Sequence, residues 1–141
     1  MDLELVERIK SAEGYRRFAY ECSVGALTVG YGTVIERGGH GIPEFIAELL
    51  IRDYLQTLQA RFEAHGWFRS LDPARQAAVL EMGYQMGYEG VMGFTRMIEA
   101  IEASDWDIVK LEALDSNWAQ QTPARADVVS SRVAYGSEAD L

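Results

Sequence analysis

Several features that mark particular classes of protein are scarce or absent in this sequence. One cysteine among 141 residues cannot form an internal disulfide, so we expect a reducing compartment. No apolar run approaches the roughly 18–20 residues that a membrane span needs. The N-terminus is a charged amphipathic stretch that lacks the apolar core of a signal peptide. We therefore expect no disulfide framework, no membrane insertion and no export signal.

Basic residues are also in short supply. Lysine and arginine number 13 against 22 aspartates and glutamates, which gives a formal net charge of −9. A general nucleic-acid binder needs cations to displace the counterions of the phosphates, so this balance predicts no nucleic-acid partner. Four cations nevertheless crowd around Glu13, namely Arg8, Lys10, Arg16 and Arg17. They form either a solvated surface or a local basic collar that attracts an anionic polymer at short range.

What is present is the composition of a globular protein, with 48% hydrophobic and 25% charged residues. Asp2 is placed to cap a first helix. From Tyr15 to Ile35 aromatic and β-branched residues alternate with polar or small ones, which predicts two or three short antiparallel strands. Apolar residues at helical spacing then predict helices at about 43–65, 73–86, 94–102, 106–114 and 123–134.

The expected architecture is therefore α+β in a single domain over residues 1–141. Three parts are predicted: a small N-terminal lobe with the strands (1–45), a long connecting helix (43–65) and a C-terminal helical lobe (66–141). The connecting helix is expected to be the longest in the chain, with Gly66 ending it, and to present one apolar face formed by Ile46, Leu49, Leu50, Tyr54, Leu58 and Phe62. Asp72-Pro73 should begin the next helix, Gly87 should turn the chain, and Asp105 should cap the helix at 106. Five large residues are expected to pack the core: Met82, Met86, Met92, Trp106 and Trp118.

The first candidate for chemistry is Glu13, at the end of the first helix and facing the start of the sheet. A carboxyl group held between them would be partly desolvated, which raises its pKa toward the range of a general acid. The alternative is an ordinary surface glutamate.

Cys22 follows nine positions after Glu13, and Thr28 follows six positions after Cys22, in the hairpin L-T-V-G-Y-G. Cys22 is either a small buried strand residue or a functional thiol, mostly neutral at pH 7, whose pKa a nearby carboxylate raises further. Glu21 would point to the opposite face of its strand.

This Glu-Cys-Thr spacing resembles the active-site pattern of the T-even phage lysozymes, the muramidases of glycoside hydrolase family 24, in which the middle position is Asp or Cys. The stretches E-G-Y-R and T-V-G-Y-G are similar to the first helix exit and hairpin of that family. Two longer stretches, S-L-D-P-A-R-Q-A-A-V-L-E-M-G-Y-Q-M-G-Y-E-G-V-M-G-F-T and S-N-W-A-Q-Q-T-P-A-R-A, resemble its second lobe. The resemblance covers essentially the whole chain.

The resemblance implies a lysozyme-like two-lobe fold and hydrolysis of the β-1,4 bond between N-acetylmuramic acid and N-acetylglucosamine in peptidoglycan. It implies that Glu13 protonates the leaving oxygen and that Cys22 and Thr28 flank the attacking water. A covalent glycosyl-thiol intermediate on Cys22 is the less favoured alternative. By the same resemblance Arg125 orients the catalytic glutamate, and six residues contact substrate: Gly32, Val34, Tyr84, Gln85, Met97 and Glu112.

The implied role is that of a phage endolysin, made in the host cytoplasm and reaching the wall through a separate holin-like protein. It would act as a monomer without a cofactor or metal, since neither His40 nor His65 has further ligands nearby in sequence. Two other hypotheses stay open. One is a non-catalytic peptidoglycan-binding or virion-structural module of the same fold, which the cysteine and the acidic charge favour. The other is activity on a related polymer such as chitin.

Overall fold

The structure, a computed structural model, describes residues 2–139 and confirms the α+β prediction. The first elements are helix α1 (Leu3–Glu13) and strands β1 (Arg16–Glu21), β2 (Leu27–Gly30) and β3 (Thr33–Val34). The strands form one antiparallel sheet in the order β1-β2-β3. The described residues divide into two compact units, one ending at Leu50 and the other beginning at Ile51.

Both ends of α1 follow from local chemistry. The Asp2 carboxylate accepts a hydrogen bond from the Leu5 amide at 3.1 Å, which satisfies one of the free donors of the first turn. At the other end Gly14 has a φ of 71°, a backbone conformation that glycine adopts without strain. The cap predicted at Asp2 is thus confirmed, and Glu13 is the last residue of the helix.

The rest of the chain is helical. Its elements are α2 (Glu44–Phe62), α3 (Gly66–Arg69), α4 (Pro73–Met92), α5 (Thr95–Glu102), α6 (Trp106–Leu114), α7 (Asn117–Gln121), α8 (Pro123–Tyr135) and a 3₁₀ turn at Gly136–Glu138. The long helix ends at Phe62 rather than at 65, and Gly66 begins α3 instead of ending α2. The expectation that α2 is the longest continuous helix is confirmed, since α2 has 19 residues and the 20-residue span of α4 is interrupted by the non-helical backbone of Gly87. Within the described residues no helix is long and apolar enough to cross a membrane.

The caps and turns predicted around α4 and α6 were confirmed only in part. The Asp72 carboxylate accepts from the Arg75 amide at 3.0 Å and so caps α4, as expected. Gly87, at φ 81° and ψ 166°, interrupts the helical backbone where a turn was predicted. Asp105 precedes α6, but its side chain makes no capping hydrogen bond, so that prediction was wrong. Helix α7 was not predicted, although the Ser116 hydroxyl caps it through the Ala119 amide.

The hydrophobic core of the described residues lies in the second unit. Met82 and Trp118 are buried, and Met86, Met92 and Trp106 pack against the core partly buried, which confirms the expected positions of these side chains. The predicted apolar face of α2 is buried only at its C-terminal end. Leu58 and Phe62 belong to the core, whereas Leu49, Leu50 and Tyr54 are exposed. Within residues 2–50 Thr28 is the one fully buried residue.

Arg75 connects three helices of the second unit. Its guanidinium donates from Nε and Nη2 to the Ala134 carbonyl of α8, at 3.2 and 2.8 Å. The same group pairs with Asp72 and lies 4.0 Å from the ring centre of Trp106 on α6. Partial burial alone would raise the pKa of Asp72, but the hydrogen bonds and charge of Arg75 outweigh it and hold this pKa below its ordinary value.

We predict that Arg75→Lys lowers the free energy of unfolding of the helical unit by about 1–3 kcal/mol, because an ammonium cannot reproduce the forked contact with a buried carbonyl. Urea unfolding followed by tryptophan fluorescence measures this, since Trp67, Trp106 and Trp118 all lie in that unit. The control is Arg96→Lys, at an exposed arginine of α5, which should change the value by less than about 0.5 kcal/mol. Equal effects of the two substitutions would contradict the role given to Arg75.

Candidate active site

Glu13 lies against a glycine of the hairpin. A Cβ atom placed at Gly32 would stand 2.8 Å from Glu13 Oε2, so the absent side chain leaves the room that the carboxylate occupies. Gly32 also has a φ of 80°, which L-residues rarely adopt. The partial burial expected for Glu13 is not found, because the residue is exposed at the end of α1. The structure thus brings Glu13 and Gly32 together, with the carboxyl group open to solvent.

Cys22 and Thr28 lie together at the turn between β1 and β2. The Cys22 amide donates to the Ala26 carbonyl at 2.9 Å, and the Gly25 amide donates back to the Cys22 carbonyl at 2.8 Å. The Thr28 hydroxyl donates to the same Ala26 carbonyl at 2.9 Å and is also in hydrogen-bonding contact with the Cys22 sulfur. This tight turn fixes the thiol and the hydroxyl relative to one another by backbone geometry.

The turn lowers the pKa of the Cys22 thiol, contrary to the expected direction. The largest cause is the hydrogen bond from the Val24 backbone, followed by that from Ala26; together they outweigh the effect of burial, which raises the pKa, and the Thr28 side chain makes a smaller contribution that lowers it. Amides that point at the sulfur stabilise the thiolate and not the thiol. The expected rise from a nearby carboxylate was wrong, because these contacts decide the environment of the sulfur.

Thr28 is 1% exposed, which limits what it can touch. It pairs with Val34 across β2 and β3, and Val34 is half-buried. A neutral Cys22 thiol can donate to the Thr28 oxygen while Thr28 donates to Ala26, whereas a thiolate can only accept. Ionisation of Cys22 therefore favours a turn of the Thr28 hydroxyl from the Ala26 carbonyl toward the sulfur.

Two predicted residues of the second unit share a cavity. Tyr84 and Arg125 line a space of about 340 Å³ together with Leu55, Leu80 and Glu81, and Tyr84 also meets Tyr54 edge to face at 5.6 Å between ring centres. Both Tyr84 and Arg125 are exposed. The cavity therefore has an aromatic ring, an apolar wall and one charge of each sign.

The side-chain amide of Gln85 forms hydrogen bonds within the protein. Its oxygen accepts from the Trp118 indole at 2.9 Å, and its nitrogen donates to the Thr122 hydroxyl at 3.3 Å. These bonds tie α4 to α7 and to the start of α8. An N-acetyl group that bound to Gln85 would have to compete with them, so its role as a substrate contact stays a prediction.

Met97 and Glu112 line a second cavity of about 250 Å³, with Arg96 and Asp115 beside them. The Met97 side chain is fully buried, so a ligand there would meet the charged residues before the thioether. The burial does not favour Met97 as a substrate contact, and its role likewise stays a prediction. Among residues 2–139 no cluster of three His, Cys, Asp or Glu side chains is arranged to hold a metal ion.

Comparison with known proteins places this arrangement in a family. The model of the family described as phage lysozyme matches residues 10–132. The chain belongs to the phage lysozyme family. It is 27% identical, over 165 aligned positions, to the pre-baseplate central spike protein Gp5 of Enterobacteria phage T4, covering 96% of this chain and 28% of that protein. Two probable T4-type lysozymes of Dictyostelium discoideum are 33% and 34% identical over 70 residues, which cover 50% of this chain and 41% of each relative. The chain therefore spans less than half the length of these relatives.

The sequence pattern did not single out Glu81, which lines a cavity of the second unit. Glu81 lines the same cavity as Tyr84 and Arg125, and it lies 3.8 Å from the Arg132 guanidinium. Its position three residues before Tyr84 places both side chains on one face of α4, and this spacing was the available signal. The pairing of Arg125 with Glu13 that the resemblance implies stays a prediction, and within its own unit Arg125 shares the cavity with the Glu81 carboxylate.

We predict that Cys22 of the folded chain reacts with iodoacetamide with a pH midpoint below that of the same chain unfolded in urea. The folded pKa is lowered, so the reactive thiolate forms at lower pH in the native state. Because Cys22 is the one cysteine of the sequence, the measurement needs no other substitution. Thr28→Val should move the midpoint upward by removing one donor, and a native midpoint at or above the unfolded one would contradict the assigned contacts.

Proposed function

We propose that this chain is a muramidase that cleaves the β-1,4 bond between N-acetylmuramic acid and N-acetylglucosamine in bacterial peptidoglycan. Membership of the phage lysozyme family supports a glycoside hydrolase. The observation that supports the roles of individual residues is that Cys22 and Thr28 both bond to the Ala26 carbonyl at one turn, in the same unit as Glu13. As a phage lysis enzyme it would reach the wall from the host cytoplasm with the help of a separate membrane-permeabilising protein.

In the proposed reaction Glu13 and Cys22 divide the proton transfers. Protonated Glu13 gives its proton to the glycosidic oxygen as the bond to the anomeric carbon breaks, so the leaving sugar departs as a neutral alcohol. Water attacks the anomeric carbon, and the Cys22 thiolate accepts the proton that the water loses. The cycle closes when solvent takes the proton from Cys22 and returns one to Glu13.

The low pKa of Cys22 has two opposing consequences for this step. A larger fraction of the thiol is ionised at neutral pH, so more molecules carry the base in its active form. Each thiolate is in turn a weaker base, because basicity falls with pKa. Thr28 is buried and contacts the sulfur, which makes it a positioning residue that holds the thiolate in place. In this proposal Thr28 positions the sulfur and does not itself contact the attacking water.

We predict that Glu13→Gln lowers the release of reducing ends from purified peptidoglycan by about 10²–10⁴-fold, the range that a general acid contributes. The matched control is Glu21→Gln, at another exposed glutamate of the same unit, on β1. Circular dichroism establishes that both variants are folded. Full activity of Glu13→Gln would eliminate Glu13 as the acid.

We predict a graded series at Cys22. Cys22→Ser should lose about 10²-fold or more, since a hydroxyl in this turn does not ionise at neutral pH, whereas Cys22→Asp should keep activity within about tenfold because a carboxylate supplies the same base. Reducing-end release measures both, and the anomeric form of the first product distinguishes attack by water from attack by sulfur. An active Cys22→Ser variant would remove the thiol from the mechanism.

A second candidate function is a wall-engaging module of a virion part. This candidate is supported by the relative named as a spike protein. The alignment covers 96% of this chain and 28% of that protein. In that case the chain would bind peptidoglycan without turnover. Wall binding by the wild type with no new reducing ends would favour this candidate, and loss of reducing-end release in Glu13→Gln would refute it.

A further inference from the structure

We propose that the helical unit carries a second saccharide-binding site, specific for neutral N-acetylated sugar units. The site is a cavity of about 560 Å³, here called the tryptophan cavity, lined chiefly by His65, Trp67, Ser70, Glu102, Ser104 and Trp106. Its volume lies within the range of pockets that hold small ligands. It shares no lining residue with the cavities around Tyr84 and around Glu112. The proposal rests on the proposed function, which brings a sugar polymer to this protein.

The cavity has the two-sided character of a sugar ring. Trp67, Leu71 and Ile101 are buried and supply apolar surface, whereas Ser70 and Glu102 are exposed and supply hydroxyl and carboxylate groups. A pyranose likewise presents C–H groups on its faces and hydroxyl groups around its edge. Aromatic surface with a few convergent polar groups is the usual composition of a ligand pocket.

The geometry of the cavity is held by packing on both sides. Trp106 lies under the Arg75 guanidinium, 4.0 Å from its ring centre, which fixes the indole. Trp67 stacks on His65 at 6.1 Å, and His65 in turn shares a hydrogen bond of 2.6 Å with the Tyr88 hydroxyl. Fixed aromatic side chains lose little conformational entropy when a ligand binds.

The Trp67 indole is a buried donor without an acceptor. Trp67 is 9% exposed, and its Nε1 forms no hydrogen bond with any described residue. Buried polar atoms in folded proteins are almost always paired, so an unpaired one indicates a partner that comes from outside the chain. The carbonyl oxygen of an N-acetyl group is an acceptor of the required kind.

Charge selects between kinds of sugar. Glu102 is an acidic group of the lining, and the lining residues among the described part of the chain include no lysine or arginine. An anionic sugar would therefore meet this carboxylate, while the Arg75 guanidinium over Trp106 is already paired with Asp72. N-acetylglucosamine is neutral, and its hydroxyl groups can donate to Glu102. This difference directs the proposal to the N-acetylglucosamine units of the polymer.

Ser104 forms part of the rim of the cavity where α5 ends. It is the one non-glycine residue of the described chain with a positive φ, at 53°, and it lines the cavity between α5 and α6. A residue in the left-handed conformation commonly follows the C-terminus of a helix. Here the Ser104 amide donates a hydrogen bond to the Ile101 carbonyl and the Asp105 amide donates one to the Ala100 carbonyl, which together hold the turn.

The test uses chitotetraose, a soluble oligomer of N-acetylglucosamine, with the full ¹⁵N-labelled chain. The three indole N–H signals of the protein are assigned with single tryptophan-to-phenylalanine variants and followed by NMR during titration. Trp67 and Trp106 report on the cavity, and Trp118, bonded to Gln85, reports on the neighbourhood of the candidate active site. We expect the Trp67 and Trp106 signals to move saturably with chitotetraose.

Two exposed glutamates of α5 provide a matched pair of variants. Glu102→Ala removes a lining carboxylate and should weaken the affinity seen at Trp67 about fivefold or more, the effect of one lost hydrogen bond to a charged group. Glu99→Ala changes a residue outside the lining and should leave that affinity unchanged. Trp67 and Trp106 signals that stay fixed at millimolar chitotetraose, or equal affinities in the two variants, would overturn the proposal.

Failure of this proposal is distinguishable from failure of the proposed function. Release of reducing ends from peptidoglycan with no change at Trp67 would leave the muramidase in place and remove the second site. A saturable, Glu102-dependent shift at Trp67 in a protein that releases no reducing ends would establish the site and remove the muramidase.

Discussion

Burial of one face of α4 is the interaction on which the helical unit depends. Val79 and Met82 are fully buried, and α4 packs against α8. At Gly83 a Cβ atom would stand 3.0 Å from the Phe62 ring, so the missing side chain lets α2 approach α4 closely at this point. Burial of these side chains removes apolar surface from water, which stabilises the unit.

The candidate catalytic groups depend on a different constraint, namely backbone geometry. In residues 2–50 no hydrophobic side chain is fully buried, and the thiol of Cys22 is placed by a hydrogen-bonded turn and the carboxylate of Glu13 by a helix end. A turn fixes its atoms through short-range bonds, so it needs no deep core beneath it. The same turn supplies the amides that stabilise the thiolate, and structure and chemistry at Cys22 therefore have one cause.

Sequence patterns predicted what is decided locally. The cap at Asp2, the helix start at Asp72 and the break at Gly87 follow from a side chain or a φ angle within a few residues, and each was found. The apolar face of α2 was predicted as one stripe, but only its last two positions are buried. Periodicity identifies a face, whereas burial requires a partner, and the partner is chosen by the rest of the chain.

For the candidate site, too, the sequence indicated some features and the tertiary structure decided others. The spacing of Glu13, Cys22 and Thr28 in the sequence, through its resemblance to a family, indicated the residues to consider, and the family match over residues 10–132 confirmed the family. Only the tertiary structure decided that Met97 is buried, that the Gln85 amide is bonded to Trp118 and Thr122, and that Glu81 lies beside Arg125. It also reversed the direction of the Cys22 pKa, because the charge state of a thiol depends on which donors point at it. The sequence by itself determined the family, the caps at Asp2 and Asp72 and the types of reactive group. The tertiary structure decided which groups meet and in what protonation state. Both depend on contacts between residues distant in the chain or on the exact course of a turn, and a residue pattern contains neither.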